Sequence, residues 1–145
     1  MVAASKALNA QIPRMTVDAD ISRQAGKIFD RIRERKRLGR LGEIVVIGAG
    51  TNGKIKTSDL ISLLDLLKDR RRVILVTCHA DRSWIPKSNA SISKAAGLFA
   101  GGNVRVVDWD AFATRHHGLL WGDGIHPKGE GTTAYAKLIR TAIRQ

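Results

Sequence analysis

The sequence predicts an α/β fold in which helices cover both faces of a parallel β-sheet. Short apolar runs rich in valine and isoleucine alternate along the chain with segments whose apolar residues recur at helical spacing. Each apolar run ends in small or polar residues, as the buried strands of parallel sheets do. The chain has 145 residues, 43% of them hydrophobic, which suits one globular domain. We therefore expect residues 1–145 to form a single three-layer sandwich.

Three runs have the form of buried parallel strands. They are EIVVIGAG from Glu43, RRVILVTC from Arg71 and NVRVVDW from Asn103. A fourth and weaker pattern is MTVDAD from Met15. Ligands of such sheets bind outside the carboxyl ends of the strands, so the residues that follow each run are the first place to look for a site.

Four segments between these runs have the helical period: residues 21–38, 57–68, 89–100 and 132–143. In the first, Ile28, Ile32 and Leu38 fall near one face. The second carries four leucines on one face, and Thr57 or Ser58 is its predicted N-cap. The alternation of strand and helix then continues to the end of the chain, as the predicted fold class requires.

Net charge limits the choice of partners. Lys and Arg number 25 against 13 Asp and Glu, and the resulting +12 predicts attraction to polyanions such as nucleic acid, anionic lipid or acidic cell-wall polymer. The densest basic run, DRIRERKRLGR from Asp30, contains no aromatic residue to stack on bases. This favours a solvent-exposed helix face over a site specific for nucleic acid.

Several other classes of protein leave no signal in the sequence. The longest apolar stretches have the length of strands, and no signal peptide or transmembrane segment is visible. Cys78 is the only cysteine, so an internal disulfide is excluded. His116 and His117 are adjacent and point in different directions, and no Cys/His set has the spacing of a zinc site. We expect no metal and no cofactor.

The motif GTNG, residues 50–53, follows the first strand. Glycines on either side of Asn52 allow a tight turn from which the amide can donate a hydrogen bond to an oxyanion, although the motif alone also fits a plain turn. A phosphate-binding loop is not indicated, because Ile55 follows Lys54 where that motif needs Ser or Thr.

The motif DGIHP, residues 123–127, precedes the last helix. A general base in acyl transfer needs an imidazole whose far nitrogen is held by a carboxylate, and this spacing can place Asp123 against His126. Taken alone, the motif is equally compatible with a turn at Asp123 and a helix cap at His126. Cys78 beside His79 could suggest a thiol nucleophile, but a lone cysteine at a strand end is more typical of packing.

The tryptophans are predicted at the same edge of the sheet. Trp84, Trp109 and Trp121 lie in or near predicted loops there, where they could wall an apolar acyl or sugar pocket or could equally belong to the core. The predicted lining of a substrate pocket is Gly50, Gly53, Trp84 and Trp121.

Five segments taken together resemble the SGNH hydrolase superfamily. They are VDADISRQAG, VVIGAGTNG, VILVTCHADRSWIPKSN, VRVVDWDAFA and WGDGIHPKGEGTTAYAKLI. Nearly the whole chain takes part, and the likeness is greatest to the extracytoplasmic domain of bacterial membrane acyltransferases that O-acetylate cell-wall and surface polysaccharides. The resemblance implies a flavodoxin-like three-layer sandwich that performs acyl transfer or ester hydrolysis.

The resemblance also implies roles for individual residues. His126 matches the general base, Asp123 its orienting acid and Asn52 the side-chain oxyanion donor. Ser22 matches the position whose backbone N–H supplies a second donor, where many relatives have glycine. The implied partners are an acyl donor, a glycan or small ester, and a membrane acyltransferase domain in a longer protein. The implied location is the outer face of a bacterial membrane.

The family's nucleophile has no counterpart in the sequence. These domains begin with a strand that ends in Gly-Asp-Ser, and MVAASKALNAQIP resembles the helix that follows it. We expect that strand and its serine to lie upstream of Met1, through a start codon placed too far downstream, a natural remnant or a fragment. Ser5 would sit about a turn into the first helix, out of reach of His126 and the oxyanion donors.

The expected function is therefore serine-dependent O-acyl transfer or ester hydrolysis on cell-wall or surface glycans, with the chain inactive as written. One alternative is a non-catalytic basic module that binds anionic glycan or nucleic acid through its charge. Another is a subunit whose incomplete sheet is filled by a second chain.

Overall fold

The computed structural model describes residues 1–145 as three parallel strands and six helices. A short 3-10 turn at Val2–Ala4 precedes α1 (Ser5–Gln11), and α2 (Ala25–Arg37) leads into the sheet. The strands β1 (Ile44–Gly48), β2 (Arg72–Val76) and β3 (Val104–Val107) alternate with α3 (Thr57–Leu66), α4 (Ile85–Leu98), α5 (Trp109–Arg115) and α6 (Glu130–Arg144). The predicted α/β class and all three principal strand predictions are confirmed.

The sheet has the order β1-β2-β3, with every neighbouring pair parallel. In β2, Val73, Ile74, Leu75 and Val76 are all buried, because this central strand is covered on both faces. In β1, Val45 and Ile47 are buried while Ile44, Val46 and Gly48 are only half-buried. One face of β1 is therefore less covered than the corresponding face of β2.

Two apolar cores lie on opposite faces of the sheet. One contains residues of α2, α3 and α4, including all four leucines predicted to share a face: Leu60, Leu63, Leu64 and Leu67. The other contains residues of α1, α5 and α6 packed on Ile74 and Val76 of β2. Helices on both faces make the predicted three-layer sandwich. None of the helices combines the length and the hydropathy needed to cross a bilayer.

Helix ends differ from the prediction where tertiary contacts intervene. The helix predicted from residue 21 begins at Ala25, because Ser22 has a positive φ of 59° and cannot be helical. Its apolar face is centred on Phe29 and Ile32, and the predicted Leu38 is 44% exposed. The N-cap of α3 is Lys56, not Thr57 or Ser58. A turn earlier than predicted, α4 starts at Ile85, next to a proline that suits a first helical turn.

The fourth strand prediction, MTVDAD from Met15, is wrong, because residues 15–20 have no strand beside them with which to form a ladder. The segment is instead fixed by Asp18, whose carboxylate accepts from Arg23 at 2.8 Å, Arg31 at 3.0 Å and Arg35 at 2.9 Å. These three guanidinium groups, Arg23 first, hold the pKa of Asp18 far below its usual value. The segment is thereby tied to α2.

Candidate active site

The loop before α6 is closed by backbone and side-chain bonds. The Trp121 N–H donates to the His126 carbonyl at 2.8 Å, and Leu120 and Pro127 form an isolated antiparallel bridge. Inside the loop, one carboxylate oxygen of Asp123 accepts from the backbone N–H groups of Ile125 at 2.8 Å and His126 at 3.0 Å. The loop therefore fixes the Asp123 carboxylate before the imidazole is considered.

The second carboxylate oxygen of Asp123 lies 2.7 Å from Nδ1 of His126. This hydrogen bond, helped by the two backbone donors, lowers the pKa of Asp123 to about 2, so the carboxyl stays ionised at neutral pH. An ionised carboxylate on Nδ1 holds the proton there and leaves Nε2 of His126 able to accept one. No protein group is hydrogen-bonded to Nε2, so the imidazole is free to act as a general base.

Asn52 lies in the turn that follows β1. Its side chain is exposed and makes no hydrogen bond within the protein. The turn needs both flanking glycines. Gly50 has φ 109° and a Cβ there would be 2.7 Å from Sγ of Cys78, while Gly53 has φ 151° and would meet the amide oxygen of Gln24. The plain-turn interpretation is correct for the backbone, and the Asn52 amide remains available as a donor.

A cavity of about 1400 Å³ brings the predicted groups together. Asn52, Ser22, His126 and Gly50 all line it, whereas Asp123 does not line it and is hydrogen-bonded to His126. The Ser22 N–H has no acceptor within the protein, and Ser22 has a positive φ of 59°, a backbone conformation that glycine adopts more readily. Two unpaired donors and one free imidazole nitrogen therefore border a common space.

Gly53, Trp84 and Trp121 do not line this cavity, so their place in a substrate pocket stays a prediction. The Trp84 indole N–H donates to the Gly50 carbonyl at 3.0 Å, which braces the Asn52 turn. Trp121 is 59% exposed, with the Lys128 ammonium 5.8 Å from its ring centroid.

Trp109 is a core residue. It is buried, packs edge-on against Tyr135 at 5.0 Å between ring centroids and stacks on Phe112 at 5.6 Å. Trp109 therefore belongs to the core, and it also lines the cavity.

A second Asp–His pair lies at the carboxyl ends of β2 and β3, and sequence reasoning missed it. Nδ1 of His79 is 2.7 Å from Asp110, whose other oxygen accepts from the Asn89 amide at 3.0 Å. Asn89 also binds the backbone N–H and carbonyl of Cys78, both at 2.9 Å. The available signal was that both His79 and Asp110 follow strands that are neighbours in the sheet. His79 lines the same cavity as His126.

Cys78 is buried, and its thiol donates to the side-chain amide oxygen Oδ1 of Asn89 at 3.2 Å. Burial raises the pKa of Cys78 to about 11, so the thiol is protonated at neutral pH and the nucleophile interpretation is not supported.

We expect Cys78 in the folded chain to react with Ellman's reagent at pH 8 about 100-fold more slowly than in the urea-unfolded chain, since the thiolate fraction falls tenfold per pKa unit. The comparison is between the two time courses of absorbance from the thiolate that Ellman's reagent releases. Equal rates in the two states would show that Cys78 is an exposed, reactive thiol.

No serine of the chain is positioned against His126. Ser22 is the only serine that lines the cavity, and no serine hydroxyl is hydrogen-bonded to the imidazole. The Ser5 hydroxyl donates to the Val2 carbonyl at 2.8 Å, and Ser5 does not line the cavity. Ser88 and Ser91 are occupied by the backbone of Ile55. No three His, Cys, Asp or Glu side chains come together as a metal-binding group.

Much of the basic run on α2 is paired within the chain. Arg31 and Arg35 bind Asp18, Arg37 binds Glu34 at 2.8 Å, and Lys36 binds Asp69 at 2.6 Å. This agrees with the expectation of a solvated helix face rather than a nucleic-acid site.

Comparison with known proteins identifies relatives of the chain. No family model matches it. The putative peptidoglycan O-acetyltransferase YrhL of Bacillus subtilis (strain 168) is 29% identical over 144 residues, which are 99% of this chain and 22% of that protein. The O-acetyltransferase OatA of Staphylococcus aureus (strain NCTC 8325 / PS 47) is 29% identical over 140 residues, 96% of this chain and 23% of that protein. The chain thus spans less than a quarter of the length of either relative.

A solved structure shares the fold. It is the C-terminal catalytic domain of Streptococcus pneumoniae peptidoglycan O-acetyltransferase A (OatA) with a methylsulfonyl adduct. The TM-score is 0.74 at 24% sequence identity, and the match covers 99% of this chain and 84% of that one. These comparisons agree with the resemblance inferred from the sequence: the chain is similar over nearly its whole length to bacterial peptidoglycan O-acetyltransferases, and it shares the α/β fold of the OatA catalytic domain.

Proposed function

We propose that this chain supplies the general base, its orienting acid and the oxyanion-binding groups of a serine-dependent O-acyltransferase or esterase that acts on O-acyl groups of cell-wall or surface glycans. The observation that supports the proposal is that His126, held by Asp123 through Nδ1, lines the same cavity as two unpaired donors, the Asn52 amide and the Ser22 N–H. The peptidoglycan O-acetyltransferase relatives support a cell-wall O-acyl reaction.

The reaction proceeds in two steps. A serine hydroxyl attacks the acyl carbonyl of the donor while His126 Nε2 takes its proton, and the Asn52 amide and Ser22 N–H bind the oxyanion. The tetrahedral intermediate collapses, the bond to the donor's leaving group breaks, and His126 returns the proton to that group. A glycan hydroxyl or water then gives its proton to His126 and attacks the acyl-serine, and the serine leaves with that proton. Asp123 stabilises the imidazolium in both steps.

The serine in this scheme comes from outside residues 1–145, because no serine of the chain is hydrogen-bonded to His126. We therefore propose that the 145-residue chain alone is inactive or nearly so. Without a nucleophile no acyl-enzyme forms, and only binding and oxyanion contributions remain.

The test compares the chain with the same chain preceded by an apolar strand that ends in Gly-Asp-Ser. We expect the extended protein to hydrolyse p-nitrophenyl acetate and to release acetate from O-acetylated peptidoglycan at least about 10³-fold faster than residues 1–145 alone. The matched control carries alanine in place of the added serine and stays at the background rate. Suppose instead that residues 1–145 alone hydrolyse the ester at an enzyme-like rate and lose this activity when Asn52 or His126 is changed. That result would refute the proposal that the nucleophilic serine comes from outside residues 1–145.

The alternative function, a non-catalytic module that binds anionic glycan or nucleic acid, is favoured by the +12 charge alone. It predicts polyanion binding that weakens steeply with salt and is unaffected by His126→Ala, together with no hydrolysis by the extended protein.

A further inference from the structure

A second imidazole on the wall of the cavity is held by a carboxylate. Nδ1 of His79 lies 2.7 Å from one oxygen of Asp110, and the other oxygen accepts from the Asn89 amide at 3.0 Å. The Asp110 N–H donates to the Thr77 hydroxyl at 2.9 Å, which fixes Asp110 in the first turn of α5. The carboxylate is therefore held by contacts that do not involve His79, and it keeps the imidazole proton on Nδ1.

Nε2 of His79 is left as an open hydrogen-bond acceptor. It has no partner within the protein, and no side-chain nitrogen of a buried or half-buried residue is both unpartnered and shielded from solvent. Nε2 therefore reaches open space. His79 lines the cavity and its side chain is only 16% exposed, so this open space belongs to the cavity. A neutral Nε2 can accept a hydrogen bond from a hydroxyl of a bound molecule.

The segment that carries His79 packs against the turn that carries Asn52. The strands before them, β1 and β2, are parallel neighbours whose last residues are opposite each other. At Gly50 there is no room for a side chain, because a Cβ there would be 2.7 Å from Sγ of Cys78. His79 is thus one residue away from a close contact with the turn that supplies an oxyanion donor.

His79 also lies next to the chain that leads to His126. The rings of His79 and His117 are 6.3 Å apart between centroids, and His117 begins the short turn that runs into the loop of residues 120–127. That loop carries His126. A molecule bound at Nε2 of His79 would therefore lie in the part of the cavity where the reaction is assigned.

Arg82 adds hydrogen-bond donors to the same surface. It follows His79 by three residues, lines the cavity, and donates only to the Asp81 carbonyl, at 3.2 Å. Neither His79 nor Arg82 has a part in the proton transfers assigned to His126. An imidazole acceptor and guanidinium donors on one loop are complementary to neighbouring hydroxyls of a sugar, because each hydroxyl both donates and accepts.

We propose that His79, held by Asp110, binds one hydroxyl of the acceptor glycan through Nε2 and thereby orients a neighbouring hydroxyl for attack on the acyl-serine. His79 takes no proton in this role, and the attacking hydroxyl still gives its proton to His126. The contact favours transfer over hydrolysis, because a water molecule has no second hydroxyl to be held at the same time. That the bound sugar is the acyl acceptor rests on the proposed function.

Binding is tested without catalysis, by NMR titration of the 145-residue chain with chitotetraose, a soluble oligomer of N-acetylglucosamine. The amide signals of Gly50 and Cys78 should shift as the sugar binds. The test variant is His79→Asn, which keeps an amide donor for Asp110 in place of Nδ1 and has no group at the position of Nε2. We expect the dissociation constant to rise about fivefold or more, as for the loss of one hydrogen bond.

The matched control is His117→Asn. His117 is exposed and does not line the cavity, so the same substitution there should leave the dissociation constant unchanged. Equal dissociation constants for the parent and the His79→Asn protein would overturn the proposal. So would the absence of any shift at Gly50 and Cys78 in a parent chain that is folded by circular dichroism.

Kinetics of the serine-bearing extended protein separate this role from a structural one. With p-nitrophenyl acetate as donor and chitotetraose as acceptor, the ratio of acetyl transfer to hydrolysis should fall about fivefold or more in the His79→Asn protein. The KM for chitotetraose should rise. The His117→Asn protein should keep the parental ratio. If His79 only supports the fold, His79→Asn lowers transfer and hydrolysis together, the ratio stays at the parental value, and the proposal is wrong.

The two experiments also distinguish failure of this proposal from failure of the proposed function. Sugar binding that depends on His79, in a chain whose extended form neither hydrolyses nor transfers, upholds the sugar contact and counts against the proposed function. Transfer at the parental ratio by the His79→Asn protein overturns the role of His79 and leaves the proposed function standing.

Discussion

His126→Ala in the serine-bearing extended protein should lower kcat for ester hydrolysis by about 10⁴-fold or more, the largest effect that the site predicts. The His126 imidazole has the ionised Asp123 carboxylate on Nδ1 and no protein partner on Nε2. Its removal leaves the serine hydroxyl without a proton acceptor. The measurement is steady-state hydrolysis of p-nitrophenyl acetate by the parent and variant proteins.

The matched control is His116→Ala. His116 is exposed, stacks on Phe112 at 4.2 Å and does not line the cavity, so kcat should stay within about twofold of the parent value. The His126 side chain is 58% exposed, and its truncation should leave the melting temperature nearly unchanged. If His126→Ala retains more than about a tenth of the parental kcat in a folded protein, His126 is not the general base.

Asn52→Ala should lower kcat by about 10²–10³-fold with little change in KM. The amide has no partner within the protein, so its loss removes no hydrogen bond from the folded state. The effect should appear in kcat because an oxyanion forms only as the reaction proceeds, and a donor aimed at it stabilises the transition state more than the bound substrate.

Asn9→Ala provides the control for removing an exposed asparagine. Asn9 lies on α1, away from the cavity, and its removal should leave kcat and KM unchanged. If the Asn52→Ala protein keeps the parental kcat, the oxyanion is bound by the Ser22 N–H or by another hydrogen-bond donor, and the Asn52 amide is not needed.

The strands and most of the helices could be predicted from the sequence because their signals are local. The apolar runs at β1, β2 and β3 and the leucines of α3 are periodic over a few residues, and burial follows from that period. The run from Met15 shows the limit of this reasoning. Met15 and Val17 do line an apolar face, but a strand also needs a neighbour, and no local pattern contains that information.

The helix α5 was missed for a related reason. The helix comprises Trp109–Arg115 and begins one residue after Asp108. The apolar run that predicts β3, NVRVVDW, already includes Trp109. Only the structure shows that Asp108 ends the strand and caps the helix, accepting from the Ala111 N–H at 3.0 Å. From the sequence alone, Asp108 could equally be the last residue of a strand or the N-cap of a helix.

The site was partly predictable for the same physical reasons. Asp123 and His126 are three residues apart, so their contact depends on one loop only. The glycines around Asn52 predict its turn. The directions of Trp84 and Trp121 depend on packing between distant elements, and neither side chain lines the cavity. The His79–Asp110 pair joins residues 31 positions apart, one just after β2 and the other at the start of α5, and composition and spacing do not reveal this contact.

The central claim is that Asp123, His126, Asn52 and Ser22 surround a position to be filled by a serine from outside residues 1–145. Mass spectrometry tests it after the extended protein, with its added Gly-Asp-Ser strand, is incubated with methanesulfonyl fluoride. We predict a single methylsulfonyl group on the added serine, and none on the His126→Ala protein over the same time. Modification of a serine within residues 1–145, or equal modification of both proteins, would contradict the account.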